Sequence, residues 1–169
     1  MKYISLFIFC ASIISCSTTK IFLVRHAEKN GTTANADLKI PEGITRANLL
    51  RDTLQNFRLT NVFSTNTPRT IHTGEPTAVA QNLAVIIYTN GDSLVDKLLL
   101  QKNKKFLIVA HSNTLPNIIR HAKLYPGFEG NIADNDFSNF FVIVKKWRWG
   151  KEKLSLQKRR YGSLPILVE

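Results

Sequence analysis

Cysteine is scarce in this chain, and both of its cysteines, Cys10 and Cys16, lie in the first sixteen residues. The rest of the chain therefore has no disulfide to staple the fold and no thiol to act in catalysis. The sequence also lacks a His-Glu-x-x-His pattern and closely spaced cysteine pairs, which are the common metal-ligand spacings. We expect neither a metal ion nor another cofactor.

Internal repeats, low-complexity tracts and a second-domain boundary are also absent. At 169 residues and 44% hydrophobic content, the chain has room for one domain with a substantial core. Acidic residues are the minority, 12 against 23 lysines and arginines, and the formal net charge is +11. Such a charge attracts nucleic-acid backbones and anionic surfaces alike, so charge alone does not identify the partner.

The N-terminal residues 1–16 have one lysine, an apolar centre and a small residue before a cysteine. This pattern is typical of a secretory signal and is too short to span a bilayer as a mature helix. Ile13-Ile14-Ser15-Cys16 resembles the bacterial lipobox, which implies cleavage before Cys16 and a lipid on its side chain. A first strand or an uncleaved anchor is the alternative.

Residues 17–20 follow as a predicted polar tether, and a non-aspartate residue at Ser17 implies sorting to the outer membrane. We therefore expect an exported protein of the bacterial cell envelope, held at the outer membrane through Cys16.

Two apolar segments end in a histidine. Residues 21–24 lead directly into Arg25 and His26, and residues 106–110 lead into His111. In open α/β sheets, ligands bind beyond the carboxyl ends of the strands, so residues at these positions are the first candidates for chemistry. The two histidines are expected to meet there.

Strand-like and helix-like segments alternate four times along the chain, which predicts a parallel-rich sheet covered on both faces, a three-layer α/β/α sandwich. Residues 137–146 and 154–160 are strand-like and are joined across residues 149–151. They predict an antiparallel hairpin at one edge of the sheet. The domain would span residues 21–169.

Thr67-Pro68-Arg69 predicts a helix start, with threonine as N-cap and proline at the first helical position. Arg69 would then lie in the first turn, where free backbone N–H groups and the helix dipole already favour an anion. The arginine would strengthen that preference.

Three motifs, in this order, carry a family resemblance: Leu23 to Lys29, Ser64 to Thr70 and Val109 to Asn113. They resemble the histidine phosphatase superfamily, and above all its small bacterial phosphoglycerate mutase-like members. The resemblance implies a phosphohistidine on His26. It also implies that Arg25, Arg69 and a protonated His111 bind the phosphate.

The function expected from this resemblance is hydrolysis of a small phosphomonoester or phosphoramidate through that intermediate. Mutase activity is not expected, because a mutase usually needs additional lid segments. The alternatives are a catalytically silent phosphate- or anion-binding lipoprotein of the same fold, and a basic adhesive module with vestigial histidines.

The general acid is not identified by the sequence. Asp92 in the loop after the third strand, Glu28 beside the nucleophile and Glu75 on the second helix are the candidates. Glu28 could instead pair with Lys29 or Arg46. The small phosphohistidine phosphatases lack such an acid, because a phosphoramidate leaves more easily.

The remaining features have simpler explanations. His72 is predicted to be a solvated helix residue, and His121 ends a helix, where an imidazolium suits the dipole. Residues 145–151 interleave tryptophan with cations, as single-strand nucleic-acid platforms do. An edge strand protected by lysines is the favoured interpretation, and nucleic acid is not expected as a partner.

Overall fold

Strands and helices alternate along the chain for most of its length. The computed structural model describes residues 16–124 and 130–162. The elements are β1 (Ser17–Arg25), α1 (Glu42–Leu54), β2 (Asn61–Ser64), α2 (Pro68–Ala80), β3 (Val85–Ile87), α3 (Gly91–Leu99), β4 (Lys105–Ala110), α4 (Thr114–His121), β5 (Asn139–Arg148) and β6 (Lys151–Arg160). The predicted signal segment before Cys16 lies outside the described residues.

The strands form one mixed sheet in the order β3-β2-β4-β1-β5-β6. The first four run parallel, with Leu23 of β1 opposite Ile108 of β4 and Arg25 opposite Ala110. The last two strands run antiparallel. The predicted mostly parallel sheet with an antiparallel edge hairpin is confirmed.

β1 is central because its apolar residues are buried on both faces. Ile21 and Leu23 belong to the core that includes residues of α3 and α4, whereas Phe22 and Val24 belong to the core that includes residues of α1 and α2. A strand covered on both faces is characteristic of parallel sheets in α/β folds. The three-layer α/β/α arrangement is confirmed.

Residues 17–20 are not a tether, and that prediction is wrong. They form the first part of β1, in which Ser17 and Thr19 are buried and paired with β5. The Thr18 backbone N–H donates to the Asn103 side chain at 3.0 Å, and the Thr19 hydroxyl donates to the Gln101 carbonyl. Small polar residues resemble a linker in composition, but here strand pairing and these contacts satisfy their polar groups.

The hairpin between β5 and β6 turns on Trp149 and Gly150, whose φ angles are 57° and 73°. Two consecutive residues with positive φ form the tight turn that matches the twist of the flanking strands. β5 begins and ends two residues later than predicted, β6 begins three residues earlier, and β6 is the outer strand.

Across the parts of the chain that the structure describes, no helix combines the length and the apolar character needed to cross a bilayer.

Candidate functional site

The two strand-end histidines lie together at the carboxyl edge of the sheet. The His26 backbone N–H donates to the Ala110 carbonyl at 2.9 Å, which fixes the end of β1 to the end of β4. The rings of His26 and His111 are 5.5 Å apart between centroids and are inclined at 64°. The neighbouring positions of β1 and β4 therefore bring together residues that are 85 positions apart in sequence.

His26 is neutral and held in one tautomer. Its Nδ1 lies 2.7 Å from the Ala27 carbonyl oxygen, a contact that requires a proton on Nδ1 and leaves the lone pair on Nε2. The side chain is buried, and burial lowers its pKa to about 3, with the charges of Arg25 and Arg69 acting in the same direction. Nε2 is therefore unprotonated at neutral pH, and its lone pair is free of the contact with Ala27.

Arg25, at the end of β1, is fixed by residues 133–137. Its Nη1 donates to the carbonyl oxygens of Ala133 at 2.8 Å and Asp134 at 3.1 Å. Its guanidinium carbon lies 4.3 Å from the centroid of the Phe137 ring. These contacts, which the sequence did not indicate, hold a buried guanidinium in one orientation.

Arg69 is the second residue of α2, as predicted. Its Nη1 donates to the Ala34 carbonyl at 2.5 Å, and its Nη2 donates to Nδ1 of His111 at 3.3 Å. The Nε atoms of Arg25 and Arg69 are buried and have no hydrogen-bond partner among the described residues. Buried guanidinium donors without partners favour an anion at this edge of the sheet.

His111 is neutral, which corrects the prediction of a protonated residue. Burial lowers its pKa to about 4, and the charges of Arg69 and Arg25 add to the effect. Because Nδ1 accepts from Arg69, the proton lies on Nε2, which donates to the Thr65 hydroxyl at 2.9 Å. The residue offers a neutral hydrogen-bond donor rather than a positive charge.

Thr73 connects α2 to Ala27, the residue after His26, and the sequence did not predict this contact. Its hydroxyl accepts from the Ala27 backbone N–H at 2.8 Å and donates to the Arg69 carbonyl at 2.6 Å. Thr73 is fully buried. Its position four residues after Arg69, on the same helix face, is the signal that could have revealed it.

The start of α2 is built from threonine hydroxyls. Thr67 occupies the predicted N-cap position, but its side chain makes no capping bond to the backbone and instead contacts the Thr70 hydroxyl at 2.7 Å. Thr70 hydrogen-bonds in turn with the Thr65 hydroxyl and carbonyl. This network orients Thr65, the partner of His111.

The loop over residues 30–37 is closed at its base and fastened to α2. Lys29 and Leu38 form an isolated antiparallel β-bridge at its base. The Ala34 carbonyl accepts a hydrogen bond from Arg69 of α2. His72 contacts the Asp37 carboxylate at 2.6 Å, which lowers the pKa of Asp37. His72 is part-exposed, as expected, but it contacts this loop rather than solvent alone.

Glu28 and Glu75, two of the three candidates for the general acid, make contacts away from the histidine pair. Glu28 accepts two hydrogen bonds from Nε of Arg46, at 2.7 and 2.8 Å. Glu75 is exposed and borders a cavity with Asp37 and His72, along the outer side of α2.

Asp92 lies in the first turn of α3 rather than in the loop before it. It borders an open cavity of about 200 Å³ together with Thr65 and Thr114. Thr65 is the partner of His111, so this cavity adjoins the histidine pair. His121, at the end of α4, lies 3.8 Å from the Asp92 carboxylate and 3.0 Å from that of Asp96.

The described part of the chain has no cluster of metal-ligating side chains. Among the residues that the structure describes, no three histidine, cysteine or carboxylate side chains are arranged to hold a metal ion.

No protein-family model matches the sequence, and no curated protein matches it either. Solved structures do match the fold. The mycobacterial glucosyl-3-phosphoglycerate phosphatase Rv2419c is 11% identical, with a TM-score of 0.64 over 85% of this chain and 98% of that one. The phosphoserine phosphatase of Entamoeba histolytica, in complex with 3-phosphoglyceric acid, is 16% identical, with a TM-score of 0.59 over 89% and 100%.

The protein histidine phosphatase SixA, complexed with tungstate, is 18% identical, with a TM-score of 0.60 over 83% of this chain and 96% of that one. These structures have the histidine phosphatase fold, and so does the present chain. The predicted resemblance is confirmed at the level of the fold.

Proposed function

We propose that the protein is a phosphatase that hydrolyses a small phosphomonoester or phosphoramidate through a phosphohistidine on His26. One observation carries this proposal. A buried, neutral histidine has its Nδ1 proton engaged by the Ala27 carbonyl, and two arginines and a second histidine surround it. This leaves Nε2 as the nucleophilic atom.

The arrangement suits phosphoryl transfer, in which charge spreads over three phosphate oxygens while the attacking and leaving atoms lie in line. Arg25 and Arg69 supply the permanent positive charge, and neutral His111 holds Arg69 through its Nδ1 while its own Nε2–H donates to Thr65. All three are fixed by the protein before substrate arrives, so little reorganisation opposes the transition state.

The proposed chemistry has two steps. Nε2 of His26 attacks phosphorus, and the bond to the leaving oxygen or nitrogen breaks as that atom takes the electron pair and a proton from the general acid or from water. Water then attacks the phosphohistidine and gives up a proton to the same group, now acting as base, or to solvent. The phosphorus–nitrogen bond breaks, its electron pair returns to Nε2, and inorganic phosphate leaves His26 in the neutral form.

The fold neighbours support this reaction class. They include a phosphatase of a phosphorylated sugar acid, a phosphoserine phosphatase and a protein histidine phosphatase. Their substrates differ, so they support a small phosphorylated substrate without selecting one.

The leaving group separates two versions of the proposal. An alkyl phosphate needs a proton donor, whereas a phosphoramidate needs less assistance. Glu28 is occupied by Arg46, and Asp92 borders the cavity beside Thr65. We therefore propose Asp92 as the acid for a phosphomonoester substrate.

A silent anion-binding protein is the second candidate, and one observation favours it. Among the described residues, no carboxylate forms a hydrogen bond to His26 or His111. Such a protein would retain the arginines and bind phosphate without turnover.

Turnover of p-nitrophenyl phosphate distinguishes the two, because its leaving group needs no acid. We expect the wild-type chain to turn over and the His26→Ala variant to lose at least about 10³-fold in kcat/KM. His121→Asn serves as a matched histidine control and should stay within about threefold of wild type, because its contacts with Asp92 and Asp96 do not matter for this substrate. If wild type and His26→Ala are equally inert while both bind phosphate in calorimetry, the protein is an anion binder.

The N-terminal sequence supports a proposed location as well. We propose export and lipid attachment at Cys16, which is exposed. Metabolic labelling with a radioactive fatty acid should mark the wild-type chain in a bacterial host and should leave the Cys16→Ser variant unmarked. Equal labelling of both would contradict the proposal.

A further inference from the structure

The end of the sheet opposite the candidate site has a distinct chemistry. The loop over residues 100–104 precedes β4, and the tip of the hairpin comprises residues 146–153, so both lie at the amino ends of the parallel strands. We call their exposed side chains the basal surface. Hydrogen bonds from Thr18 and Thr19 to Asn103 and Gln101 fix the loop beside the start of β1.

The basal surface is strongly cationic. Residues 100–105 and 145–153 contain eight lysines and arginines and a single carboxylate, that of Glu152. Glu152 is already occupied by the Lys145 ammonium at 2.9 Å and by the indole N–H of Trp147. The exposed cations form no ion pair within residues 16–124 and 130–162; they are Lys102, Lys104, Lys146, Arg148, Lys151 and Lys153.

Apolar side chains lie among these cations. Trp149 at the hairpin turn is 65% exposed, and Leu100 is 78% exposed. A cavity of about 360 Å³ is bordered by Leu100, Lys102 and Trp147 and joins the loop to the hairpin. The Lys102 ammonium lies 5.7 Å from the centroid of the Trp147 ring. Tryptophan among cations suits the headgroup region of a membrane, where an aromatic ring can be apolar on one side and hydrated on the other.

The start of the described chain lies at this end too. Ser17 pairs with Trp147, so the exposed Cys16 lies beside the hairpin tip. The proposed site of lipid attachment is therefore at the basal surface.

We infer that the basal surface docks on an anionic lipid bilayer. Unpaired lysines and arginines close to such a surface each contribute about a fivefold gain in affinity, and exposed tryptophan and leucine enter the interface. Single-stranded nucleic acid also binds aromatic and basic surfaces. The bilayer is favoured because exposed Cys16, the proposed site of lipid attachment, and the exposed Leu100 lie on the same side.

Docking through the basal surface sets the orientation of the candidate site relative to the bilayer. It does not depend on the proposed catalytic activity. β1 has nine residues, and at about 3.3 Å per residue His26 lies roughly 30 Å from the membrane surface. The site then faces the aqueous phase, where it meets soluble substrates rather than lipid headgroups.

The test measures binding of the full chain, carrying Cys16→Ser to prevent lipid attachment, to vesicles of phosphatidylcholine alone or with 30% phosphatidylglycerol. The two tryptophans of the chain, Trp147 and Trp149, both lie at the hairpin tip, so intrinsic fluorescence reports on this surface. We expect a blue shift and tighter binding with the anionic vesicles, and loss of that gain at 0.5 M salt.

Arg148→Glu with Lys151→Glu should weaken binding to the anionic vesicles by about 30-fold or more. Lys39→Glu with Lys158→Glu changes the net charge equally at exposed positions elsewhere and should cost less than about threefold. Trp149→Ala should weaken binding by several-fold and remove much of the blue shift.

Equal affinity for neutral and anionic vesicles would overturn the inference, as would equal losses in the two charge-reversed pairs. Tighter binding to a single-stranded oligonucleotide than to anionic vesicles at the same ionic strength would assign the surface to nucleic acid instead. Thermal unfolding of each variant separates loss of binding from loss of fold.

Discussion

Arg69 donates a hydrogen bond to Nδ1 of His111 at 3.3 Å, which joins the first turn of α2 to the end of β4. This contact sets the histidine's tautomer, because an accepting Nδ1 requires the proton to lie on Nε2. It also keeps the ring neutral, since a protonated Nδ1 would face a guanidinium. The two arginines thus lower the pKa values of both histidines of the site before any substrate binds.

The depressed pKa values of His26 and His111, about 3 and 4, predict a stability that falls in mild acid. The unfolded chain, with ordinary histidine pKa values near 6.5, binds more protons than the folded chain below that pH. Stability is therefore fully present above about pH 7 and is lost as the pH falls toward 4. Between pH 8 and pH 5 we expect a loss of about 2 kcal/mol for each histidine.

Urea unfolding at a series of pH values measures this loss. In His26→Asn, which cannot titrate, about half of the change between pH 8 and pH 5 should disappear. A flat stability profile in the wild type, or an unchanged profile in the variant, would contradict the assignment of neutral histidines.

Thr73 should prove a positioning residue for the end of β1. Thr73→Val leaves the buried Ala27 N–H without its acceptor, at a cost of about 1–3 kcal/mol in the free energy of unfolding. Because Ala27 follows His26, kcat for p-nitrophenyl phosphate should also fall, by about tenfold, with a smaller change in KM.

Thr77→Val is the matched control, one helical turn further along α2. The Thr77 hydroxyl is buried and has no hydrogen-bond partner among the described residues, so valine should be neutral or slightly stabilising there. Equal effects of the two substitutions would show that the contact with Ala27 has no special role. The two free energies come from the same urea titrations.

The general acid can be identified by changing the leaving group. Asp92→Asn should lower kcat for an alkyl phosphate by at least about tenfold while changing kcat for p-nitrophenyl phosphate less than about threefold. Glu28→Gln should leave the ratio of the two substrates unchanged, because Glu28 is held by Arg46.

A ratio unaffected by Asp92→Asn would remove Asp92 as the acid. If wild type then also prefers a phosphoramidate to the alkyl phosphate, the substrate class that needs no acid is favoured. Steady-state rates on the three substrates, measured side by side, decide between these outcomes.

The sequence predicted the alternation of elements because apolar segments of strand length and helical periods are local signals. The two histidines were placed correctly, since parallel strands end at one edge whichever residues lie between them. Local signals failed at residues 17–20, where small polar residues form a buried strand. Pairing with β5, 120 or more positions away, decided that outcome.

The residues that support the site were beyond sequence reasoning. Phe137 and the carbonyl of Ala133 hold Arg25 from more than a hundred positions away, and Thr65 reaches His111 across the sheet. Every residue has a backbone carbonyl, so residue type does not reveal which carbonyl will accept a hydrogen bond. Threonine is common in many structural settings, so its presence did not indicate a contact with His111.

The sequence by itself determined which candidate residues meet at the carboxyl edge of the sheet: Arg25, His26, Arg69 and His111. Only the tertiary structure decided their protonation states, because burial and the neighbouring guanidiniums lower both histidine pKa values. It also gathered the cations of a loop and a hairpin at the far end of the sheet, a charge pattern created by strand pairing.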